Sequence, residues 1–300
     1  MPVWKAWLLA ARPRTLPAAV VPVLVGSALA ASRNQFDGRV FAATLAVSLL
    51  LQIGANFAND VFDFLKGADA ARRGPTRVTQ SGFLSPRQML WSTGVVFGLA
   101  ALIGLYLVTI GGWPLLVVGA LAILAALAYT GGPWPLGYHG LGDLFVFIFF
   151  GLVGVVGTFY LQTRAVTPLA FMAAIPVGLL ITNILVVNNL RDIETDRAAG
   201  KRTLAVRIGA DATRTQFTLF VYLAYIVPPL LALGGMAGDW FWLPWLSVPL
   251  AVRLVRDVQA ARESGSSDHA PTFNRLLART AQLNLVYGVL FAISLLAPNA

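Results

Sequence analysis

The sequence predicts an all-α integral membrane protein with about nine transmembrane helices, and three observations carry that expectation. Of 300 residues, 57% are hydrophobic and only 12% charged, about half the roughly 25% charged residues of a soluble domain. Mean hydropathy is +0.73. Apolar runs recur along the whole chain, each close to the roughly 20 residues that carry a helix across a hydrocarbon core about 30 Å thick. Between those runs the basic residues are alternately abundant and scarce, as the positive-inside rule requires of a polytopic protein.

In order, the runs are 15–32, 40–62, 89–110, 113–129, 144–162, 169–187, 216–233, 240–253 and 281–297. The first follows Lys5, Arg12 and Arg14 and ends in Ala28-Leu29-Ala30, the outline of a secretory signal. It is longer than a signal core and similar runs follow it, so it reads as the first span. The eighth is short and runs into Arg253 and Arg256. With the N-terminus on the cytoplasmic side, only Arg33, Arg39 and Arg164 of the 22 basic residues fall outside. No transit peptide stands out, which suits a cell inner membrane. The run Ser264-Gly265-Ser266-Ser267-Asp268 reads as a linker before the last span. The chain reads as a single transmembrane domain with a weak internal repeat, halves roughly 1–150 and 151–300.

Composition also excludes functions. There is no cysteine, hence no disulfide framework, thiolate metal site or thiol nucleophile. His139 and His269 lack ligand-like spacing. A net charge of +9 invites a nucleic-acid reading. The basic residues instead occupy short loops beside apolar runs, where topology and anionic membrane lipid account for them. No nucleic-acid partner is expected.

Six of the 13 acidic residues fall in two short segments. One reads Asn56-Phe-Ala-Asn59-Asp60-Val-Phe-Asp63-Phe-Leu-Lys66-Gly67-Ala-Asp69; the other reads Asn188-Asn189-Leu-Arg191-Asp192-Ile-Glu194-Thr-Asp196-Arg197. Each leaves the cytoplasmic end of an apolar run, the second and the sixth. Residues three and four apart share a helix face, so Asn56, Asn59, Asp60 and Asp63 form one stripe and Asn188, Asp192 and Asp196 another. Carboxylates at such depth are costly and mark sites more often than they decorate helix ends. Paired hard-oxygen ligands suit Mg²⁺, which takes one or two carboxylates with water and phosphate oxygens. Asp60, Asp63, Asp192 and Asp196 are the candidate metal ligands and catalytic acids. Asn56, Asn59 and Asn188 would orient them or donate to phosphate, while Arg72, Arg73, Arg77, Lys201 and Arg202 would complete an anion site. If these acids merely solvated helix ends and paired with arginines, two such clusters half a molecule apart would be a coincidence.

These residues resemble the UbiA superfamily of intramembrane aromatic prenyltransferases. Asn188-x-x-x-Asp192-x-x-x-Asp196 matches that family's Asn-x-x-x-Asp-x-x-x-Asp pattern in full. The first motif departs from it: Gly67 stands at the third place and the acid comes at Asp69. That departure resembles the branch of 1,4-dihydroxy-2-naphthoate polyprenyltransferases of menaquinone synthesis. So do Arg12-Pro13-Arg14-Thr15-Leu16-Pro17, Arg77-Val-Thr79-Gln80-Ser81-Gly82, Tyr129-Thr-Gly-Gly132-Pro133, Gly140-Leu-Gly142-Asp143-Leu144 and Ala199-Gly200-Lys201-Arg202-Thr203. The likeness covers most of 10–210 and thins thereafter.

The resemblance implies helices enclosing a central cavity open to the cytoplasmic side and to lipid. It also implies Mg²⁺-dependent transfer of a polyprenyl group from polyprenyl diphosphate to dihydroxynaphthoate, with decarboxylation to demethylmenaquinone. Within it, Arg14 would hold the acceptor carboxylate, and Asp143 would act on an acceptor hydroxyl or cap its helix. Phe145, Phe147, Phe149, Phe150 and Tyr160 are candidates to line the cavity beside a carbocation. The competing classes are a transferase for another aromatic acceptor (4-hydroxybenzoate, homogentisate), a CDP-alcohol phosphotransferase and a transporter. Phe64 after Asp63, where that phosphotransferase motif has Gly, argues against the second. Acids at helix ends rather than the midplane argue against the third.

Overall fold

The computed structural model describes residues 2–68, 76–236, 238–261 and 269–297, without the side chains of 269 and 270. The described residues are helices and turns. The chain opens with α1 (Val3–Ala11), a 3-10 turn (Pro13–Thr15) and α2 (Pro17–Ala31). Then come α3 (Gly38–Leu65), α4 (Pro86–Gly111), α5 (Trp113–Ala128) and α6 (Gly142–Val146), the last running through a π-helical stretch (Phe147–Val153) into α7 (Gly154–Thr163). α8 (Pro168–Arg191) breaks into the short α9 (Ile193–Ala198), followed by α10 (Leu204–Ile208), α11 (Ala210–Leu233), α12 (Val248–Ala260) and α13 (His269–Ser294).

Eight of the nine expected apolar runs coincide largely with α- or π-helix, but not every helix has the length of a span. Among the described residues six are long and apolar enough to cross a membrane: Gly38–Leu65, Pro86–Gly111, Gly142–Thr163, Pro168–Arg191, Ala210–Leu233 and Pro271–Ser294. The expected first span is shorter than 15–32 and is joined to α1 at a bend of 50°, where Arg12 takes a left-handed backbone (φ 51°) and Pro13 and Pro17 restart the helix. α5 has only 16 residues. The expected eighth span, 240–253, is instead a Trp-rich turn, a 3-10 segment (Leu243–Ser247) and amphipathic α12, whose Arg253, Arg256 and Asp257 lie on one exposed face.

Side-chain caps set several helix starts. Asp37 accepts from the Arg39 and Val40 amides (2.7 and 3.2 Å), and Ser85 and Gln88 form a reciprocal capping box on α4. The largest core cluster forms where α2 packs with α7, α8, α11 and α13. Within its apolar window α8 is 78% buried against 22% for α4; α8 is therefore the central post. The outer helices turn Leu99, Leu102, Leu105, Leu121 and Leu124 outward, an apolar face suited to lipid contact. Close approach is built from small residues: a Cβ on Gly151 would lie 2.7 Å from Gly178 Cα, so the π-helical stretch seats directly on α8. The molecule is a multi-pass membrane protein.

Candidate active site

α3 runs unbroken through the first acidic motif, which keeps Asn56, Asn59, Asp60 and Asp63 on one stripe. The helix stops two residues later in a Schellman arrangement: the Ala68 amide donates to Asp63 O (2.9 Å) and the Gly67 amide to Phe64 O (3.0 Å). Gly67 has φ 71°, which explains a glycine where the family pattern has its third acid, since a side chain there would be strained.

Both carboxylates of this stripe are buried, each 2% exposed. Asp60 accepts from the Val78 amide (3.3 Å) and the Thr79 amide (3.1 Å), clamping the loop before α4. Asp63 accepts from Arg77 Nη2 (2.9 Å) and from the Tyr138 hydroxyl (3.0 Å). Asn59 accepts from the Thr130 hydroxyl (2.9 Å). Asn56 instead donates to Ala11 O and the Thr15 hydroxyl (3.0 and 3.2 Å), tying the stripe to the α1–α2 turn.

The second motif departs from a single helical stripe. α8 ends at Arg191, and Asp192 stands at the break. The cause is local: the Arg191 guanidinium grips Asp192 through two bonds (Nε to Oδ1 2.8 Å, Nη2 to Oδ2 2.6 Å) and also donates to Asn188 (2.8 Å) and Asn274 (2.9 Å). Such a fork is strong and directional. The Asp196 amide still reaches Asp192 O (2.7 Å), so Asp196 follows one turn on.

Lys201 joins the two motifs. Its ammonium lies 4.0 Å from Asp63 Oδ1 and 3.8 Å from Asp196 Oδ1, and 5.2 Å from the Tyr138 ring centre. Lys66 also lies over that ring (4.9 Å) and donates to Gly132 O (3.1 Å). Partial burial lowers the Lys66 pKa, and attraction to Asp63 only partly offsets this. Arg202 presents its amide to Tyr138 O (3.0 Å) and its side chain to the exterior.

Of the expected residues, Asp63, Asp196 and Lys201 are brought into one cluster. Asp60 lies a turn back under its loop, and Asn188 and Asp192 sit in the Arg191 fork. Arg14 is exposed on the α1–α2 turn. Arg72 and Arg73, like Asp69 and the linker 264–268, lie outside the described residues. Sequence reasoning gave no role to Tyr138, Arg191 or Asn274. Arg191 carried a signal, a basic residue inside an acidic motif, while Asn274 carried none.

Comparisons with known proteins give the family. The model of the UbiA prenyltransferase family matches residues 19–294. The chain belongs to that family. It is similar to the 1,4-dihydroxy-2-naphthoate octaprenyltransferase of Haemophilus influenzae (37% identity over 97% of this chain and 96% of the relative). It is likewise similar to the one of Mycobacterium tuberculosis (40% identity, 85% and 87%). In fold it resembles the apo structure of a UbiA homolog from Aeropyrum pernix (TM-score 0.70, 14% identity, 98% of each chain). A UbiA homolog from Archaeoglobus fulgidus bound to GPP and Mg²⁺ is also similar (TM-score 0.65, 14% identity, 96% and 99%).

The site is built on helix ends. Its donors are all oxygen, the chemistry Mg²⁺ requires. Among the described residues no three acidic or histidine side chains converge on one point. The set fits an ion that takes one or two carboxylates and completes its shell elsewhere.

Proposed function

We propose that the chain transfers a polyprenyl group from its diphosphate to 1,4-dihydroxy-2-naphthoate with loss of carbon dioxide, giving demethylmenaquinone. It is a transferase of menaquinone biosynthesis. The observation that carries this reading is 37–40% identity, over most of the chain, to relatives named for that octaprenyl transfer. The cluster in which Lys201 spans Asp63 and Asp196 suits the reaction.

Mg²⁺, when bound, would be held by Asp60, Asp63, Asp192 and Asp196 and would neutralise diphosphate charge. The chain's own cations do the remaining work at that end. Lys201, with Arg77 and Arg202 and with Arg72 and Arg73, attracts the diphosphate and stabilises it as it leaves. Asn59 and Asn188 orient the carboxylates around it. Allylic carbon–oxygen cleavage leaves a cation that must be kept from water. Phe145 and Phe149, stacked at 6.1 Å, supply π faces in an apolar wall. Arg14 meets the acceptor carboxylate.

We read the nine expected runs as nine crossings of the cell inner membrane within one domain of two weakly repeated halves. The N-terminus is cytoplasmic, and a central cavity opens on that side. Support comes from the three outward basic residues out of 22.

The test uses protein in nanodiscs, polyprenyl diphosphate and naphthoate labelled at its carboxyl carbon. Labelled carbon dioxide is expected only with diphosphate and Mg²⁺ together, and not from Asp192→Ala. Prenylation of 4-hydroxybenzoate without release from naphthoate would overturn the acceptor assignment.

A further inference from the structure

Asp143 is the buried acid that the diphosphate end of the site does not use. It is 8% exposed, and its Oδ2 accepts a short bond from Gln216 Nε2 of α11 (2.6 Å). Its Oδ1 is buried and has no hydrogen-bond partner among the described residues. A helix-capping role does not account for it: Leu141 holds the N-cap position of α6 and no side chain caps that end. An unanswered buried carboxylate oxygen is costly, and Gln216 fixes the direction in which it points.

Two observations place the backbone at Asp143 against α8 and near the acidic cluster. A Cβ on Gly142 would lie 2.8 Å from the Tyr129 hydroxyl and 3.3 Å from Leu185 Cδ2. Tyr129 in turn accepts at its carbonyl from the Gly137 amide (2.9 Å), next to the Tyr138 whose hydroxyl bonds Asp63 (3.0 Å). Leu185 precedes Asn188 by three residues on α8, about one helical turn, or roughly 5 Å along the axis. Asp143 thus sits about a turn further from the helix end than the second acidic motif. It is followed at once by the Phe145–Phe149 stack and the π-helical stretch.

We propose that Asp143, positioned by Gln216, is the proton carrier for the aromatic acceptor. This rests on the naphthoate reading above. The acceptor's ring hydroxyl donates to Oδ1 of Asp143. As the ring carbon bearing the carboxylate bonds to the first prenyl carbon, the prenyl carbon–oxygen bond breaks and its electron pair leaves with the diphosphate. The hydroxyl proton passes to Asp143 and that ring oxygen becomes a ketone. Loss of carbon dioxide returns the carbon–carbon electron pair to the ring, and Asp143 hands the proton back to the oxygen. The product is the quinol form of demethylmenaquinone, and no net proton is taken up or released. Gln216 is a positioning residue: it occupies one carboxylate oxygen so that the other faces the acceptor.

The experiment compares wild type, Asp143→Asn, Asp143→Glu and Gln216→Leu in nanodiscs with Mg²⁺. The acceptors are dihydroxynaphthoate and its methyl ether at the hydroxyl beside the carboxylate, and prenyl-diphosphate affinity is measured separately. General acid–base catalysis contributes about 10²–10⁴-fold, so Asp143→Asn is expected to lose at least about 10²-fold in kcat while prenyl-diphosphate affinity is kept. Wild type should reject the methyl ether strongly, whereas Asp143→Asn should treat both acceptors alike. Asp143→Glu should recover part of the rate and Gln216→Leu should lose about 10-fold. Asp143→Asn turning over at the wild-type rate, or still rejecting the ether, overturns the proposal. Should that variant not fold, wild type that uses the ether as well as the diol overturns it unaided. Wild type that transfers only to some other acceptor overturns the functional reading itself, a distinguishable result.

Discussion

The two acidic segments look alike in sequence and are built differently. The first lies on an unbroken 28-residue helix and, Lys201 apart, faces partners of its own half: the Val78 and Thr79 amides, Arg77 and Tyr138. The second sits where a helix breaks, gripped by the adjacent Arg191, which also reaches Asn274 across 83 residues of chain. The first is a local clamp that orders a loop. The second is a long-range tie between the central post and the last helix. The same carboxylate chemistry therefore rests on two kinds of support, and each should fail in its own way.

Four substitutions break or sharpen that contrast, the largest effect first. Arg191→Leu removes a bidentate guanidinium from a buried carboxylate, and breaking a buried pair costs about 3–5 kcal/mol; thermal unfolding in detergent should show a large loss. Asp60→Asn weakens two charge-assisted bonds to main-chain amides, worth about 1.5–3 kcal/mol each when intact. Amide exchange should accelerate at Val78 and Thr79 while the α8–α13 contact stays protected. Asn274→Ala removes one bond to a charged group, about 1.5–3 kcal/mol at most; exchange should rise at the start of α13 and leave 78–79 unchanged. Gly67→Ala places a side chain at φ 71° with open space around it, so only the conformational cost of about 1 kcal/mol applies. A small drop in unfolding temperature would register it.

Hydropathy made the helices legible and spacing made the first motif legible, because period and burial are local properties. Local reasoning failed where a distant or adjacent polar group overruled the period. Asp192 leaves the expected stripe because Arg191 turns it. Tyr138 reaches Asp63 from 75 residues away and Gln216 reaches Asp143 from 73, distances that no window of sequence spans. How 113–129 and 240–253 are built was illegible for another reason. Apolar content alone does not reveal that Tyr129-Thr-Gly-Gly-Pro ends α5 at 16 residues, or that Pro244 and Pro249 divide a Trp-rich stretch into a 3-10 turn and a short helix.

The central claim is that both motifs serve one diphosphate. A double-substitution cycle on Asp63→Asn and Asp196→Asn, read as affinity for a non-cleavable prenyl thiodiphosphate with Mg²⁺, tests it most directly. Independent sites add within about 0.3–0.5 kcal/mol. The account predicts a coupling well above that, at least about 1 kcal/mol, since either loss already opens the shared site around Lys201. Additive effects within that margin would mean that the two motifs bind separately and would contradict it.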